Sequence, residues 1–275
     1  MPHLHKALTL PAILVRHSID LKFNEKTNQY FMGLFDKLFK KTDETIEFAK
    51  VNQQQNLTPC KTLEELLERY GGIALDKQID FSEVIGNNSW NVDMSKGEIT
   101  FGPNLSFPIQ VLGTISYSSE SWLWAWANTQ SGLPENIIRQ SLELKKYGEE
   151  NEIDILRDSS FDFGKDDLHL IGIIASGTFN STAYYIADYG QGAMVVTLRN
   201  DKIDNARKDN HHRILSVFPQ LISQFDMNHK FALTNYLQAK GYSTTEQESK
   251  LIGTKGTNTI TAEFDDSFRL TKLNG

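Results

Sequence analysis

The residues best suited to acid–base or metal chemistry are Asp167 and His169, which stand two positions apart in Asp166-Asp167-Leu168-His169. A carboxylate and an imidazole at this spacing can transfer a proton, and they support the hypothesis of a hydrolase or transferase of unrecognised type. A structural interpretation is favoured, because the two aspartates open a predicted helix, where Asp166 would be the N-cap and Asp167 would complement the helix dipole. A metal would need further ligands that this segment lacks, so we predict no metal site and no cofactor.

Aromatic side chains form the second candidate site, because three of the four tryptophans lie in the segment Ser121-Trp122-Leu123-Trp124-Ala125-Trp126-Ala127-Asn128. In a strand, alternation puts Trp122, Trp124 and Trp126 on one face. Three indoles on one face form a large apolar area, and a position in the core under the following helices is the favoured interpretation. The alternative is a ligand-binding pocket that is lined by Trp122, Trp124 and Trp126, with Asn128 at its polar end.

Cys60 and the pair His211-His212 are reactive residue types that we interpret as structural. Cys60 is the only cysteine, so it cannot form an internal disulfide, and this fits a reducing compartment. A thiol nucleophile needs an activating partner, and the sequence identifies none for Cys60. Adjacent histidines point in different directions and seldom share a metal, so Asp209-Asn210-His211-His212-Arg213 predicts a solvated loop.

The composition excludes two classes of partner. The chain has 275 residues, a formal net charge of −7 and a pI of about 5.5. An acidic surface repels phosphate backbones, and the densest basic run, Lys37 to Lys41, is followed by Asp43 and Glu44, so we predict no nucleic-acid partner. No stretch approaches the ~20 apolar residues that a membrane span requires, and no segment is a convincing signal peptide, so we predict a cytoplasmic protein without a membrane span. The remaining partners are another protein or a small molecule.

Three parts of the chain differ in their periodicity. Residues 1–31 show no sustained period and precede Met32-Gly33-Leu34-Phe35, which opens an amphipathic helix; we predict a leader that is disordered, or mis-annotated because translation starts at Met32. Residues 32–79 form an N-terminal helical segment, in which Thr62 caps a helix that Gly71-Gly72 ends. Residues 80–275 form the main domain.

The main domain is predicted to be α+β, with antiparallel meander sheets packed by helices. The first four strands are separated by short turns, and short turns join antiparallel neighbours. Helices are predicted near Pro134, Asp166 and Pro219 and after a cap at Asn228. The predicted strands are Ser89 to Met94, Glu98 to Phe101, Ile109 to Ser118, Ser121 to Ala127, the hairpin of Ala183 to Asp188 with Ala193 to Leu198, and the tail strands Tyr242 to Glu248, Thr259 to Phe264 and Phe268 to Lys272.

A resemblance to a known family rests on the tryptophan segment and on three further motifs. These are Phe107-Pro108-Ile109-Gln110-Val111-Leu112-Gly113-Thr114, Asp167-Leu168-His169-Leu170-Ile171-Gly172 and Ile186-Ala187-Asp188. Residues 89–200 resemble an uncharacterised bacterial family, a domain of unknown function with an S-W-x-W-A-W-A-N motif. The resemblance implies a fold and a bacterial origin, but it implies no activity, cofactor or catalytic residue.

The favoured function is that of a non-enzymatic binding or interaction protein of the bacterial cytosol. Two alternatives stay open: the hydrolase or transferase that would use Asp167 and His169, and an acidic immunity-type protein that neutralises a toxin. An enzyme should show a cleft in which polar residues of perturbed pKa converge, whereas a partner-binding module should show an exposed apolar patch without such a cluster.

Overall fold

The computed structural model describes residues 58–207 and 210–275. The predicted leader at 1–31, the start at Met32 and the amphipathic helix that follows it lie outside the described residues. In the described part of the chain no helix is long and apolar enough to cross a membrane.

The strands of the described residues form two sheets, and every strand pair is antiparallel. The first sheet has seven strands: β1 (Trp90–Asp93), β2 (Glu98–Phe101), β3 (Leu105–Ser116), β4 (Ser121–Trp124), β5 (Ser160–Asp162), β6 (Ala183–Asp188) and β7 (Gly192–Leu198). The second has four strands: β8 (Ser243–Gln247), β9 (Lys250–Lys255), β10 (Asn258–Phe264) and β11 (Leu270–Asn274).

Seven α-helices of the described residues pack on these sheets. They are α1 (Leu63–Ile85), α2 (Glu135–Asn151), α3 (Asp154–Arg157), α4 (Leu168–Thr178), α5 (Asp201–Ala206), α6 (Ile214–Gln224) and α7 (His229–Ala239). Helix α1 contacts β6 of the first sheet as well as α6 and α7, which belong with the second sheet. The prediction of an α+β fold with antiparallel sheets packed by helices is confirmed.

Strand β3 organises the first sheet because its twelve residues are long enough to pair with three other strands. Its beginning pairs with β2, and from Gly113 to Ser116 it lies between β4 and β7. The predicted meander from β1 to β4 and the predicted β6–β7 hairpin are therefore confirmed. Strand β5 pairs with β4 at the end of the meander; its three residues are too few to show a period in the sequence.

Helix α1 continues beyond Gly71-Gly72, where the sequence predicted its end. Its start is as predicted, because the Thr62 hydroxyl accepts a hydrogen bond from the Glu65 N–H at 3.1 Å. The glycines lie inside the helix because other helices pack closely there: a Cβ on Gly72 would stand 2.5 Å from the Tyr236 side chain of α7, and one on Gly71 would stand 3.1 Å from Leu221 of α6. The boundary that we predicted between residues 79 and 80 falls within this helix.

Helix α6 begins at Ile214, so the prediction that Pro219 starts it is wrong. A proline inside a helix removes a hydrogen bond and costs about 3 kcal/mol. The same helix buries Val217, Phe218 and Leu221 completely, and each such side chain contributes about 1.5–3 kcal/mol. Tertiary burial therefore outweighs the local preference of proline for the first turn.

Strand β9 is absent from the sequence-based prediction. Its inward positions are Leu251 and Gly253, and a Cβ on Gly253 would stand 2.9 Å from Leu237 of α7. Because glycine lacks a side chain, it breaks the alternation from which a strand is recognised.

Candidate functional site

Trp122 and Trp124 lie in the apolar core beneath α2, as the favoured interpretation predicted. Both side chains are 0% exposed, and their rings meet edge to face with centroids 5.3 Å apart. Leu144 of α2 packs in the same cluster, and the Trp124 indole N–H donates to the Ile155 carbonyl at 2.9 Å. We call this cluster around Trp122 and Trp124 the tryptophan core.

The strand predicted for Ser121 to Ala127 ends at Trp124, so strand alternation does not place Trp126, although its partly buried ring packs against the same cluster as Trp122 and Trp124. Strand β4 ends at Trp124, because the N–H groups of Ala127 and Asn128 both donate to the Trp124 carbonyl and turn the chain. Side chains alternate regularly only while the backbone stays extended. The third indole therefore belongs to a turn and not to the strand.

The end of the tryptophan segment is its accessible part. Trp126 is half-buried, and the Lys145 ammonium lies 4.5 Å from the centre of its ring, a cation–π contact. The Asn128 side-chain oxygen accepts from the Ser131 N–H at 3.2 Å and caps the short 3-10 helix Thr129–Ser131. Of the four residues predicted to bind a ligand, Trp126 and Asn128 are the two that a ligand can reach, and that role stays a prediction.

Two enclosed indole N–H groups of the tryptophan segment lack a partner in the described part of the chain, those of Trp122 and Trp126. The Trp122 Nε1 is enclosed and has no hydrogen-bond acceptor among the described residues. An unsatisfied buried donor costs about 1–3 kcal/mol. The tryptophan core therefore derives its stability from apolar packing, which has to compensate for this donor.

His169 is hydrogen-bonded to a tyrosine. Its Nδ1 lies 2.8 Å from the hydroxyl of Tyr184 on β6, and the Tyr184 ring packs over Gly172, where a larger side chain would collide with it. Burial lowers the pKa of His169 to about 4, and the charge of Asp166 only partly opposes this effect. At neutral pH the imidazole is therefore uncharged, and its Nδ1 shares one hydrogen bond with the Tyr184 hydroxyl.

Asp167 has a different partner, at the start of the same helix. Its Oδ2 accepts from the Gly164 N–H at 3.1 Å, within the short 3-10 helix Lys165–Asp167 that leads into α4. Asp167, and not Asp166, is the N-cap position of α4, and its carboxylate bonds the start of the 3-10 helix instead of an N–H group of α4. The structure uses Asp167 and His169 for separate contacts, and the hypothesis of a hydrolase or transferase stays a prediction.

Cys60 is enclosed against Tyr147. Its backbone N–H donates to the Tyr147 hydroxyl at 2.7 Å, and that hydroxyl donates to the Cys60 carbonyl at 3.1 Å. Burial raises the pKa of the Cys60 thiol above its usual value. Since the thiolate is the nucleophile, this environment opposes reactivity.

Helix α1 carries a concentration of buried charge that the sequence analysis missed. Asp76 is 1% exposed, and its carboxylate lies 3.2 Å from Arg213 Nη1, 2.9 Å from Tyr236 Oη and 2.6 Å from Lys240 Nζ. One turn later, Asp80 also pairs with Arg213, at 2.5 Å. We call this network, together with Arg207 on Asp80, the charged joint.

The residues that follow Asp76 connect α1 to the first sheet. The Lys77 ammonium donates to Asn180 Oδ1 at 2.5 Å and to the Ser181 carbonyl at 3.0 Å, and burial lowers the pKa of Lys77 to about 8. The Gln78 amide bonds both the carbonyl and the N–H of Tyr184, at 2.9 and 3.2 Å. The available signal was the run of three polar residues, Asp76 to Gln78, directly after the apolar stretch Ile73 to Leu75, and these residues mark the joint between the two sheets.

The segment at residues 210–213 is not the solvated loop that the sequence predicted. His211–Arg213 form a 3-10 helix, and Arg213 enters the charged joint. His211 Nδ1 lies 2.7 Å from the hydroxyl of Tyr242. The partners of both residues are far away in the sequence, so the local polarity was misleading.

Among residues 58–207 and 210–275, no three His, Cys, Asp or Glu side chains are placed to hold a metal ion together.

The fold and these contacts define an α+β protein whose two sheets are joined through one central helix. Residues 64–201 match a family described as Family of unknown function (DUF6882), which amounts to half of the chain. The chain belongs to this family, and the resemblance to an uncharacterised family is confirmed. The match covers β1–β7 and ends before α6, α7 and the second sheet. No curated protein and no solved structure matches the chain.

Proposed function

We propose that this protein is a non-enzymatic binding protein of the bacterial cytoplasm and that its partner is a basic protein. The distribution of charge carries the proposal. Residues 143–167 contain nine acidic and four basic residues, a net charge of −5 within a chain whose net charge is −7. All nine of these carboxylates are exposed.

The acidic residues belong to consecutive elements of the chain, of which α2 packs on β3 and β5 forms one end of the first sheet. They lie on α2, α3 and β5 or directly beside these elements, and two of them lie in the 3-10 helix before α4. Strand β5 is the last strand in the hydrogen-bonded order of the first sheet. Exposed pairs such as Lys145–Glu149 and Lys146–Glu150 are weak and leave the excess negative charge in place. A surface of one sign attracts a partner of the opposite sign and accelerates its association.

The contacts of the residues best suited to catalysis favour a binding role over an enzymatic one, because each of these residues makes a contact within the fold. His169 is bound to Tyr184 and Asp167 to Gly164, and the backbone of Cys60 is bound to Tyr147. A single buried cysteine also fits the reducing cytoplasm. An immunity-type protein that neutralises a basic toxin is one member of this class of binding proteins.

Charge reversal tests the proposal. We expect the immobilised protein to retain, from an extract of its source organism at about 0.15 M salt, a protein of pI above about 9. Once that partner is purified, the triple variant Glu152→Lys/Asp158→Lys/Asp162→Lys should bind it at least about tenfold more weakly in calorimetry.

The matched control is Glu83→Lys/Glu248→Lys/Asp266→Lys, which changes the net charge equally at exposed positions outside residues 143–167. This control should keep most of the affinity. Equal weakening by both triple variants would indicate non-specific attraction, and the absence of any retained basic protein would contradict the proposal directly.

A further inference from the structure

The imidazole of His229 lies at the contact between α7 and the last strand. The residue is the first of α7 and is 8% exposed. Its Nδ1 lies 2.9 Å from the backbone nitrogen of Leu270, the first residue of β11. Its Nε2 lies 3.2 Å from Nη1 of Arg269.

Both neighbours of this imidazole can only donate hydrogen bonds, since one is a backbone N–H and the other a guanidinium. A neutral imidazole has one acceptor nitrogen and one N–H, so His229 can accept from only one of them. In either tautomer the other ring nitrogen carries an N–H group, and this N–H group faces the second donor. An imidazolium has no acceptor nitrogen and would face both donors with N–H groups. The contact therefore requires the uncharged ring.

The charges around His229 act in opposite directions. Arg269 stands beside the ring and disfavours a second positive charge, whereas Asp226, paired with Arg269, and Asp265 in the β10–β11 turn favour it. Glu68 of α1 approaches the same helix start, because its Oε1 accepts the N–H of the N-cap residue at 2.8 Å. Burial is the largest influence, Arg269 adds to it, and the pKa of His229 is lowered.

Strand β11 has few other attachments. It pairs with β10 alone and is the outermost strand of the second sheet. Leu270 and Leu273 are its two side chains that pack on the core, and both are partly buried. Arg269 also donates to the Met227 carbonyl at 3.2 Å. A short edge strand with little buried apolar surface is an element that opens before the rest of a domain.

We propose that His229 is a pH-sensitive latch that holds β11 in place when the imidazole is uncharged and releases β11 when it is protonated. The sign follows from the preference of the closed state for the neutral ring. The latch is closed above the ordinary histidine pKa of about 6.5, and it opens progressively as the pH falls below that value. Opening exposes the outer edge of β10 together with Leu270 and Leu273.

Amide hydrogen exchange of the full chain at pH 7.5 and pH 5, corrected for the intrinsic effect of pH on exchange, tests the latch. The protection of β11 should fall by about tenfold for each unit by which the pKa of His229 is lowered. The backbone amides of β3 and β7 report global unfolding and are compared separately, because protonation of His169 lowers the stability of the whole fold over the same range of pH. His229→Asn retains an acceptor near the Nδ1 position and cannot be protonated, so its β11 protection should be the same at both values of pH.

The matched control is His212→Asn, which removes an exposed histidine and should leave the response of β11 to pH intact. An unchanged protection of β11 in the wild type, or the wild-type response in His229→Asn, would overturn the proposal. NMR titration of His229 in the wild type gives an independent check that needs no variant: a pKa at or above about 6.5 would also overturn it.

Discussion

The tryptophan core and the charged joint bury large side chains in two different ways. In the tryptophan core, two fully buried indoles pack edge to face among aliphatic residues, and Trp122 keeps an unsatisfied N–H. In the charged joint, Asp76 has three polar partners within 3.2 Å. The tryptophan core lies within the family match, whereas Arg213 and Lys240 of the charged joint lie beyond it.

The two regions lose stability for different reasons when a side chain is removed. Apolar packing is non-directional, so a truncated side chain leaves a cavity whose cost depends on how far the neighbours relax. A buried ion pair contributes little net stability, but the loss of one partner leaves an uncompensated charge.

Truncation of a core indole should have the largest effect. Trp124→Ala should lower the free energy of unfolding by about 3–5 kcal/mol, towards the upper end, because the cavity is accompanied by an unpaired Ile155 carbonyl. Urea unfolding at pH 7.5 measures the loss. Trp126→Ala, at the half-buried turn position, is the control and should cost clearly less. If Trp124→Ala unfolds like the wild type and iodide quenches most of the tryptophan emission, the core assignment is wrong.

Removal of the central carboxylate should disturb the charged joint nearly as much. Asp76→Asn should cost about 3–4 kcal/mol, because Arg213 and Lys240 lose the buried charge that they share. Urea unfolding of Asp76→Asn, Lys240→Met and the double variant completes a double-mutant cycle. We expect a coupling energy of about 1 kcal/mol or more. Simple additivity of the two losses would show that the contact between Asp76 and Lys240 carries no energy.

Acidification should act through His169, which lies on α4 and contacts Tyr184 on β6 of the first sheet. The pKa of its imidazole is lowered to about 4 in the fold, against about 6.5 in the unfolded chain. The neutral form is favoured by folding, so its contribution is complete above pH 6.5 and is lost progressively between about pH 6.5 and 4, up to about 3 kcal/mol. Urea unfolding across this range measures the loss.

His169→Gln provides the reference for that titration. It should cost no more than about 1–2 kcal/mol at pH 7.5 and should flatten the dependence of stability on pH. If His169→Gln loses as much stability on acidification as the wild type does, groups other than His169 cause the loss. A divalent metal that co-purifies with the wild type and is lost in this variant would instead support a functional role for His169.

The smallest effect is expected at the accessible end of the tryptophan segment. Asn128→Ala removes the cap of a three-residue 3-10 helix and should cost about 1 kcal/mol or less. Thermal unfolding measures the change, with Trp124→Ala as the comparison. A loss as large as that of Trp124→Ala would mean that the turn at Asn128 supports the tryptophan core.

The sequence by itself determined the elements whose signals are local. The cap at Thr62, the cap at Asn228 and the turns of the first meander depend on residues that are three or four positions apart, and the structure confirms each of them. The burial of Trp122 and Trp124 followed from alternation within a strand. The position of Trp126 did not, because the chain turns directly after Trp124.

Only the tertiary structure decided the course of α1 and the roles of its polar residues. Asp76 meets Arg213 and Lys240 across 137 and 164 positions of sequence, and no periodicity within α1 indicates those partners. Gly71-Gly72 ends a helix by local preference, yet it lies inside α1 because α6 and α7 require the space. Inside a helix the local preference costs about 1 kcal/mol for a glycine and about 3 kcal/mol for a proline, whereas the packing of two helices buries several side chains worth about 1.5–3 kcal/mol each. Wherever the two conflict in this chain, at Gly71-Gly72 and at Pro219, packing prevails.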